Sequence, residues 1–573
     1  MKRYFCCILL HFVAFNFVNC FAAQFFGKTE KIELRERIYV QTDKQLYLAG
    51  EPILMKVLTT DNKQIPIVFS KIAYVEMIGN SIAHAQIIIE LINGTGTGRI
   101  QLPADLPTGY YRLIAYTQFM RNEGADVFFE KNVAVLNTFL IDYQLTEAGP
   151  EIEQHFSHTE ESEFSKVSLQ PNKATYTIRD HGELTITGLP ENLHTLSASI
   201  SGKEVIPVSD SDVSLFRKNL TKKSAEFTGE YLPEYEGHII TGKLVDNQTE
   251  KSGIGILAFG LSIPGEGIRF FAGQNTQTGD VRFFTSRISG TKEIATILYH
   301  ADEKYNIDIQ SPFVNRHTHP EPMPALRIDT ACYRPLLARS VALQVFHYFS
   351  DGSFENQNIP EPYFKMKPTW SYLLDEYTRF TTMRDVFIEF VIGARFRKRE
   401  NKQEISVITR RGYFYDYGTM PLVLLDGVPI YDHDVIYNYD PLMVERINVY
   451  YGPFVMGGFL FDGIVEMTTY RRLHQDLNLG RSSQILTYEG PQLPYRLNAP
   501  DYSQEKNHRS RMPDSRHTLL WNPDVQTNRK TSISLPFDTS DLTGDFQATV
   551  EGITKDGQIV FATVDFKVER TGR

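Results

Sequence analysis

Ile32 to Val57 reads IELRERIYVQTDKQLYLAGEPILMKV, and this stretch decides the fold class. Apolar and polar residues alternate along it, on both sides of a Leu-Ala-Gly-Glu-Pro turn. Such alternation places one set of side chains on a buried face and the other set on an exposed face, as in a half-buried antiparallel strand. Strand and turn signals of this kind recur about every ten residues along the chain. They predict a mainly β protein built from tandem sandwiches.

The actual residues of this stretch are more specific than its alternation of apolar and polar residues. YVQTDKQLYLAGEPILMKV, from Tyr39 to Val57, resembles the opening strands of the second macroglobulin-type (MG2) domain of the alpha-2-macroglobulin superfamily. In that domain a Thr-Asp-Lys, a Tyr and a Gly-rich turn recur at this spacing. LPADLPTGYYRLIAYT, from Leu102 to Thr117, resembles the closing hairpin of the same domain, with Gly109 at the turn. The resemblance implies a macroglobulin/immunoglobulin-like β-sandwich.

A second resemblance lies between Pro421 and Tyr470, PLVLLDGVPIYDHDVIYNYDPLMVERINVYYGPFVMGGFLFDGIVEMTTY. Its Asp-Gly-Val-Pro turn, ERINVYYG strand and Gly-Ile-Val strand ending in Thr-Thr resemble the plug domain of TonB-dependent outer-membrane receptors. This resemblance implies an α+β plug-like domain, opened by a helix over MRDVFIEFVIG that ends at Gly393 as a C-cap. Receptor barrels have about 22 strands of ~9–11 residues, more than residues 471–573 could supply. We therefore expect a plug-like domain without its barrel.

The rest of the chain is predicted from local patterns. Alternation returns after Lys166, and the segment after Gly237 resembles either a carboxypeptidase-regulatory β-sandwich or a further macroglobulin-like one. Apolar residues at helical spacing between Ala325 and Tyr348 predict a connecting helix. The predicted order is a signal peptide (1–23), an MG2-like sandwich (24–145), a linker and second sandwich (146–235), a third sandwich (236–320), a helical connector (321–365), the plug-like domain (366–475) and a C-terminal macroglobulin-like sandwich (476–573).

The N-terminus predicts export. A positive start at Lys2 and Arg3, an apolar run as far as Phe17 and small residues after Cys20 are typical of a secretory signal peptide. Lipidation at Cys20 is the less favoured alternative, because Asn19 and Phe17 fit a lipobox poorly. We expect the mature chain in the periplasm or associated with the outer membrane, with no membrane span of its own.

Charge and cysteine content exclude several function classes. The net charge of −10 argues against nucleic acid as a partner. Cys332 is the single cysteine after the signal peptide, so neither an intramolecular disulfide nor a cysteine-based zinc site can form. Its context, DTACYRPLL, lacks the Gly-Cys-Gly-Glu-Gln motif of macroglobulin thioesters, which excludes a thioester-dependent protease trap.

The residues that could carry chemistry have simpler explanations. His317 and His319 lie in a Pro-rich loop, and His433 lies in an Asp-His-Asp cluster just after a β-turn. NGTGTG, from Asn93 to Gly98, lies between two strands and lacks the helix N-terminus that holds phosphate, so we interpret it as a flexible loop of the sandwich. We therefore predict no enzymatic activity, no metal and no cofactor.

Aromatic residues suggest a docking surface. They make up 12% of the chain, and most are expected in cores and cross-strand pairs. Within the plug-like domain they are crowded enough that some should face solvent or a partner. The predicted partner-docking residues are Tyr415, Tyr437, Tyr439, Tyr450 and Tyr451.

The two resemblances together suggest a function. An MG2-type domain followed by a plug-like domain resembles a group of Bacteroidota envelope proteins. This implies a non-enzymatic binding or scaffold protein at the outer membrane, associated with a TonB-dependent receptor or recognising a protein or glycan ligand. The alternative is a macroglobulin-like endopeptidase inhibitor without a thioester, whose bait would be an exposed loop such as Pro150 to Ser165.

Overall fold

Two facing sheets built from residues 36–136 form the first sandwich. In the computed structural model the described residues are 34–140, 144–146, 166–203, 211–246, 258–265, 267–276, 278–286, 288–299, 305–314, 326–349, 354–356, 366–399, 401–408, 419–456, 459–471 and 483–570. The predicted signal peptide, the segment from Pro150 to Ser165, His317, His319 and Tyr415 lie outside these ranges. The strands of the first sandwich are β1 (Glu36–Thr42), β2 (Leu46–Leu48), β3 (Pro52–Asp61), β4 (Ile72–Gly79), β5 (Ile82–Glu90), β6 (Thr95–Gln101), β7 (Gly109–Tyr116) and β8 (Phe129–Leu136).

The stretch from Ile32 to Val57 forms β1, β2 and the first part of β3. One sheet has the order β1-β3-β6 and the other β2-β8-β7-β4-β5, and their inner faces share one core. Asp43 holds the corner between the strands, because its Oδ1 accepts the Tyr47 hydroxyl at 2.9 Å and the Leu54 N–H at 3.2 Å. The Thr-Asp-Lys and Tyr of the sequence pattern are thus a hydrogen-bonded corner of a sandwich.

The NGTGTG segment differs from its prediction. From Thr95 onward it is not a loop but β6, which pairs with β3 along its whole length. A Cβ on Gly96 or Gly98 would come within 2.7 Å or 2.3 Å of the Ile89 side chain. The glycines therefore allow two layers of the sandwich to approach closely, a role that composition does not distinguish from flexibility.

The middle of the chain contains a helix and further strands. Helix α1 packs on the first sandwich, where Phe216 stacks on Tyr39 with ring centroids 4.6 Å apart. The elements are β9 (Gln144–Thr146), β10 (Ser168–Pro171), β11 (Thr175–Thr177), β12 (His181–Thr187), β13 (Leu193–Gly202), α1 (Asp212–Leu220), β14 (Ile239–Asp246), β15 (Ala258–Ser262), β16 (Phe270–Asn275), β17 (Asp280–Phe284), β18 (Thr291–Tyr299) and β19 (Tyr305–Ile309).

The last part of the chain begins with a long helix. Helix α2 confirms the helix predicted between Ala325 and Tyr348. The elements are β20 (Arg327–Asp329), α2 (Thr330–Phe349), β21 (Phe354–Asn356), β22 (Trp370–Leu373), α3 (Met383–Glu389), β23 (Ala394–Arg399), β24 (Lys402–Val407), β25 (Leu422–Leu425), β26 (Val428–Pro429), α4 (Asp434–Tyr437), β27 (Val444–Met456), β28 (Phe459–Thr469), β29 (Ser483–Glu489), β30 (Tyr495–Leu497), α5 (Glu505–His508), β31 (Thr518–Asn522), β32 (Ser532–Asp538), β33 (Gly544–Thr554) and β34 (Ile559–Glu569).

The second sandwich is discontinuous in sequence, which corrects the predicted organisation. Residues 146–235 and 476–573 were predicted to form separate sandwiches, yet their strands share two sheets, β10-β12-β32 and β11-β34-β33-β13-β31. Strand β13 lies between β33 and β31, and one core joins residues from both segments. The strands within each segment are predicted correctly from local patterns. Their pairing partners lie more than 300 residues apart, so the local sequence does not indicate which strands pair.

One strand of the third sheet also comes from the C-terminal segment. Seven strands have the order β19-β14-β17-β16-β15-β18-β29, and buried side chains on one face of this sheet form a cluster that includes Ile307 of β19 and Tyr488 of β29. Short parallel and antiparallel pairs, β9 with β20 and β21 with β30, connect the segments further. From Arg37 to Arg573 the chain is accordingly a single unit.

Residues 366–471 form a mixed module, hereafter the α+β module. Its sheet has the order β22-β27-β28-β25-β26, and α3, α4 and the β23–β24 hairpin share the sheet's main core. The predicted ERINVYYG and Gly-Ile-Val strands are confirmed as parts of β27 and β28. Together the sheets establish a mainly β protein of tandem β-sandwiches with an α+β part. Among the helices that the structure describes, none is long and apolar enough to cross a membrane.

Candidate functional site

A groove of about 600 Å³ opens on the α+β module beside strand β23. Two isoleucines on its rim are unusually exposed for aliphatic residues, Ile388 by 64% and Ile392 by 71% of their surface. We call it the β23 groove and define it by Arg384, Ile388, Ile392, Arg395, Phe396 and Tyr437.

The short helix α3 positions one wall of the groove. It begins at Thr382, whose hydroxyl accepts the Asp385 N–H at 3.2 Å, a typical N-cap. Because side chains three and four residues apart share a face, Met383, Val386 and Phe387 are buried together. Arg384 and Ile388 lie on the opposite face, toward the groove.

The predicted end of this helix at Gly393 is wrong. The helix ends at Glu389, and Phe390 leaves the helical region with φ −141°. Gly393 is not a left-handed cap. A Cβ there would come within 2.5 Å of the Trp370 ring, so the residue is needed for close packing. The early end of the helix turns Ile392 outward, since the chain between α3 and β23 forms turns and no longer continues the helix.

The β23–β24 hairpin forms the second wall, and its register fixes which backbone groups face outward. The Ile408 N–H donates to the Gly393 carbonyl oxygen at 2.9 Å, and alternate residues of an antiparallel pair share this bonded state. The backbone N–H and C=O groups that point away from β24 therefore belong to Ala394, Phe396 and Lys398.

The outer edge of β24 is closed by side chains of helix α4 and its N-terminal flank. The Gln403 N–H donates to Asp434 Oδ1 and the Ile405 N–H donates to His433 Nδ1, both at 2.9 Å. His433 is 2% exposed, and burial lowers its pKa to about 4, so the imidazole is neutral at pH 7. The Asp-His-Asp cluster thus caps a strand edge, and His433 Nδ1 is already used as an acceptor.

The outer edge of β23 has no such cap. Within the described part of the chain, no strand or side chain pairs with the outward backbone groups of Phe396 and Lys398. The Phe396 ring itself is held by aromatic contacts, 4.7 Å from Phe387 and 5.2 Å, edge to face, from Tyr437. The groove therefore combines an open strand edge with an aromatic floor and two exposed aliphatic side chains.

The predicted docking tyrosines do not form one patch. Tyr437 lines the β23 groove, whereas Tyr439 and Tyr451 are half-buried against the main core of the module. Tyr450 is 5% exposed and its hydroxyl donates to Glu466 at 3.1 Å. Tyr450 and Tyr451 are neighbours on β27, so strand alternation puts them on opposite faces of the sheet. Tyr415 lies outside the described residues.

Residues of the groove other than Tyr437 were missed at the level of sequence. Ile388 and Ile392 are four residues apart within a segment that was predicted to be helical to its end. In a segment that is predicted to be helical throughout, a sequence-based prediction assigns all the apolar residues to the hydrophobic core. Only the burial of the helix's other face and the early helix end show that these two are exposed.

A buried relay of a carboxylate, an imidazole and a hydroxyl has the chemical groups of an acid–base site. His238 Nδ1 lies 3.0 Å from Glu234, its Nε2 lies 2.6 Å from the Tyr488 hydroxyl, and the Tyr74 hydroxyl donates to Glu234 at 2.9 Å. None of these side chains is more than 7% exposed, and burial raises the pKa of Tyr488. The relay joins the first sandwich to the seven-stranded sheet, because Tyr74 lies on β4 and Tyr488 on β29.

Among the residues that the structure describes, one cluster has metal-ligating groups close together. His181, Asp501 and Asp538 offer ligand atoms that lie within 4.8 Å of one another. Their atoms already have partners: His181 Nδ1 lies 3.0 Å from Asp538, and Asp501 accepts both the N–H and the hydroxyl of Ser503. These hydrogen bonds account for the cluster.

Comparisons with known proteins identify distant structural likenesses. No protein-family model and no curated protein matches the chain. Among solved structures, Salmonella alpha-2-macroglobulin reacted with methylamine matches at 9% identity over 93% of this chain and 39% of its own, with a TM-score of 0.24. Escherichia coli alpha-2-macroglobulin activated by porcine elastase matches at 9% identity over 93% and 44%, also with a TM-score of 0.24.

A further match is an Escherichia coli adhesin, at 11% identity over 51% of this chain and 64% of its own, with a TM-score of 0.14. The chain spans about two fifths of the length of the alpha-2-macroglobulins that it matches. At these identities and TM-scores no residue role transfers from them to this chain.

Proposed function

We propose that this chain is a non-enzymatic binding or scaffold protein of the bacterial cell envelope, which holds a partner protein at its α+β module. The partner would be an envelope protein, with a TonB-dependent receptor as one candidate. The β23 groove carries the proposal, because exposed Ile388 and Ile392 lie beside an open strand edge. Exposed aliphatic side chains grouped at a groove are typical of interaction sites rather than of ordinary surface.

The construction of the rest of the chain supports a scaffold role. Strands from distant segments complete one another's sheets, and ion pairs such as Glu51 with Arg339 are buried between modules. A module that presents a docking surface gains affinity when it is held rigidly, since less conformational entropy is lost on binding.

Site-specific crosslinking in intact envelopes tests the proposal. A photo-crosslinking amino acid replaces Ile392 in the full chain, and a control chain carries it at Val68, which is 62% exposed on the first sandwich. We expect one discrete protein adduct from position 392 that is absent from position 68. Identical adducts from both positions, or none from position 392, would contradict a docking role for the groove.

The same envelope preparations distinguish the proposed scaffold from the alternative, an endopeptidase inhibitor. An inhibitor would be cleaved within residues 150–165 by a protease, would then compact, and would suppress that protease. A scaffold would keep its adduct at position 392 whether or not this segment is cut. Fractionation of the envelopes, followed by immunodetection of the chain, tests the proposed location at the outer membrane.

A further inference from the structure

We propose that a polar cleft between the first sandwich and the seven-stranded sheet binds an acidic sugar, a saccharide unit that carries a carboxylate beside its hydroxyl groups. The cleft has a volume of about 460 Å³, within the usual range of small-molecule sites. It lies outside the α+β module, so this inference does not depend on the proposed docking at the β23 groove. The residues that define the polar cleft are Arg121, Tyr231, Thr241, Asp280, Arg282 and Gln310.

One face of the seven-stranded sheet forms the floor of the cleft. Strands β14 and β17 pair with Thr241 opposite Arg282 and with Lys243 opposite Asp280. Side chains two residues apart on a strand share a face, so these four project together into the cleft. The residues between them, such as Val281, are buried in the core of the sheet. The floor is therefore made of hydroxyl and charged groups, which suits a hydroxyl-rich ligand.

Arg121 forms the wall on the side of the first sandwich. Its Nη1 donates to Gln118 Oε1 at 2.7 Å and to the Pro312 carbonyl oxygen at 3.3 Å, and its Nη2 donates to the Tyr231 hydroxyl at 3.1 Å. The guanidinium lies 4.0 Å from the centre of the Tyr231 ring. All these partners are neutral. Because a guanidinium has five N–H groups, the Nε–H and one N–H of Nη2 have no acceptor in the described part of the chain.

Arg282 is the second guanidinium of the cleft, and the protein holds it loosely. Among the described residues this half-buried side chain forms one long hydrogen bond, from Nη2 to the Glu230 carbonyl oxygen at 3.5 Å, and no ion pair. A carboxylate bound in the cleft would accept charge-assisted hydrogen bonds from the free N–H groups of both arginines. Arginine is well suited to this task, since its planar fork matches the two oxygens of a carboxylate.

The protein's own carboxylates at the cleft do not neutralise these arginines. Glu234 belongs to the buried relay, where it lies 3.0 Å from His238. Asp280 lies 3.9 Å from Lys243 at the rim. Glu230 is exposed, and its carboxylate forms no ion pair with any residue that the structure describes. An anion from outside the chain is therefore the group that would compensate both guanidinium charges.

Uncharged groups beside the arginines favour a sugar acid over a simple carboxylate. The Thr241 hydroxyl and the Gln310 amide both line the cleft, and neither side chain is hydrogen-bonded to another described residue. Each of these groups can donate and accept, as sugar hydroxyl groups do. A ligand with hydroxyl groups next to its carboxylate would thus use the arginines and these neutral groups together.

A water-filled gap between two packed modules is the simpler alternative. Contacts between modules commonly contain ordered water, which hydrogen-bonds polar groups that the protein leaves free. Water would satisfy the free guanidinium N–H groups without selecting any solute. The two explanations differ in one measurable respect, because a mere gap would bind a sugar acid no better than the corresponding neutral sugar.

Saturation-transfer NMR with the full chain tests the proposal. The probes are D-glucuronate and D-galacturonate, and the matched controls are D-glucose and D-galactose, which lack the carboxylate. We expect saturation transfer to the two acids and none to the neutral sugars. The signals of the acids should weaken as the salt concentration rises, because salt screens the attraction between the carboxylate and the arginines.

Variants of Arg282 assign the binding to the cleft. Arg282→Gln removes the charge at the cost of one long hydrogen bond, and Arg282→Lys keeps the charge but loses the planar fork. We expect Arg282→Gln to weaken binding of the acids by about tenfold or more, and Arg282→Lys to weaken it less. Arg496→Gln, at an exposed arginine of β30 outside the cleft, should leave binding unchanged. Thermal unfolding verifies that each variant is folded.

Three results would overturn the inference. The first is equal binding of the acids and the neutral sugars, and the second is full binding of the acids by Arg282→Gln. The third is competition by acetate or by trialanine as strong as that by the other sugar acid, which would show that the carboxylate alone is recognised. None of these results affects the crosslink at position 392, which tests the docking function separately.

Discussion

Lys56 is a buried ammonium at the contact between two sandwiches. Its side chain lies on β3, is 3% exposed and donates to the Thr195 hydroxyl on β13. Burial lowers its pKa to about 8 from the usual 10.5, although Asp524 and Glu551 oppose the shift. A charge held in this position destabilises the folded chain at neutral pH, because the unfolded chain solvates the ammonium fully.

We predict that Lys56→Met stabilises the chain at pH 7. The folded pKa lies below the unfolded value, so the cost of the charge is fully present below pH 8 and disappears as pH rises toward 10.5. The lowered pKa of Lys56 corresponds to a cost of ~3 kcal/mol in the free energy of unfolding. Replacement by Met removes this cost, and the lost hydrogen bond to Thr195 offsets about 1 kcal/mol of the gain. Thermal unfolding at a series of pH values measures the gain. Lys203→Met, at a residue whose side chain is 47% exposed, is the control, and a gain independent of pH would contradict the explanation.

His433 gives a dependence on pH of the same sign, in a more acidic range. Its folded pKa of about 4 lies below the usual 6.5, so the neutral folded form loses stability relative to the unfolded chain as pH falls from 6.5 through 4. We predict a loss of ~3 kcal/mol in the α+β module over this range. In His433→Asn the amide oxygen can accept the Ile405 N–H without titrating, and this acid sensitivity should disappear.

Hydrogen exchange of the Ile405 amide measures this effect locally. In the wild-type chain we expect the exchange rate, corrected for its intrinsic pH dependence, to rise as the pH falls below 6.5. His181→Asn, at a half-exposed histidine of the second sandwich, should leave the Ile405 amide unchanged. Retention of the full acid sensitivity by His433→Asn would show that other groups cause it.

At the scale of elements, one turn holds the end of a strand in the α+β module. Asp426 and Gly427 both have positive φ, 50° and 84°, as a two-residue turn between β25 and β26 requires. The Asp426 carboxylate is buried and accepts the Thr469 N–H at 2.7 Å and the Thr469 hydroxyl at 2.6 Å. The Asp-Gly of the sequence pattern and its final Thr-Thr are therefore partners in space.

We predict that Asp426→Ala destabilises the α+β module by ~2–4 kcal/mol. Two hydrogen bonds to a charged group are lost, the Thr469 donors are left unsatisfied, and alanine is strained at positive φ. Asp426→Asn retains an acceptor and should cost less than half as much. Asp440→Ala removes an exposed carboxylate that accepts the Leu442 N–H. It serves as the control, with an expected cost of about 1 kcal/mol. Thermal unfolding ranks the three variants, and equal effects of Asp426→Ala and Asp440→Ala would contradict the assigned role.

At the scale of the whole molecule, helix α2 is joined to the first sandwich by a buried ion pair. Arg339 donates to both carboxylate oxygens of Glu51, at 2.9 Å and 2.7 Å, and to the Leu46 carbonyl oxygen at 3.0 Å. Burial would raise the pKa of Glu51, but Arg339 and Lys44 together hold it well below its usual range. The contact connects segments almost 300 residues apart.

We predict that Arg339→Met destabilises the chain by ~3–5 kcal/mol, because Glu51 is left as a buried charge with weaker compensation. Arg339→Met combined with Glu51→Gln should recover a large part of that loss, since the uncompensated charge is gone. Thermal unfolding of the single and double variants measures the coupling. Additive effects of the two substitutions would show that the pair does not act as a unit.

The sequence by itself determined the class of the fold and most local strands. Alternation around Tyr39 and Val57, the Asp-Gly turn before Val428 and the helical spacing after Ala325 are all local patterns, and each corresponds to an element of the structure. Hydrogen-bonded corners and caps depend on neighbouring residues, so the chain encodes them within a short window.

Only the tertiary structure decided which strands pair and which side chains stay exposed. Strand β13 is completed by β31 and β33, and Tyr450 is buried while Ile388 and Ile392 are not. The physical reason is that a sheet edge accepts any strand of compatible register, and burial depends on what covers a face. Both are properties of residues far away in sequence, and the groove proposed as a docking site depends on both.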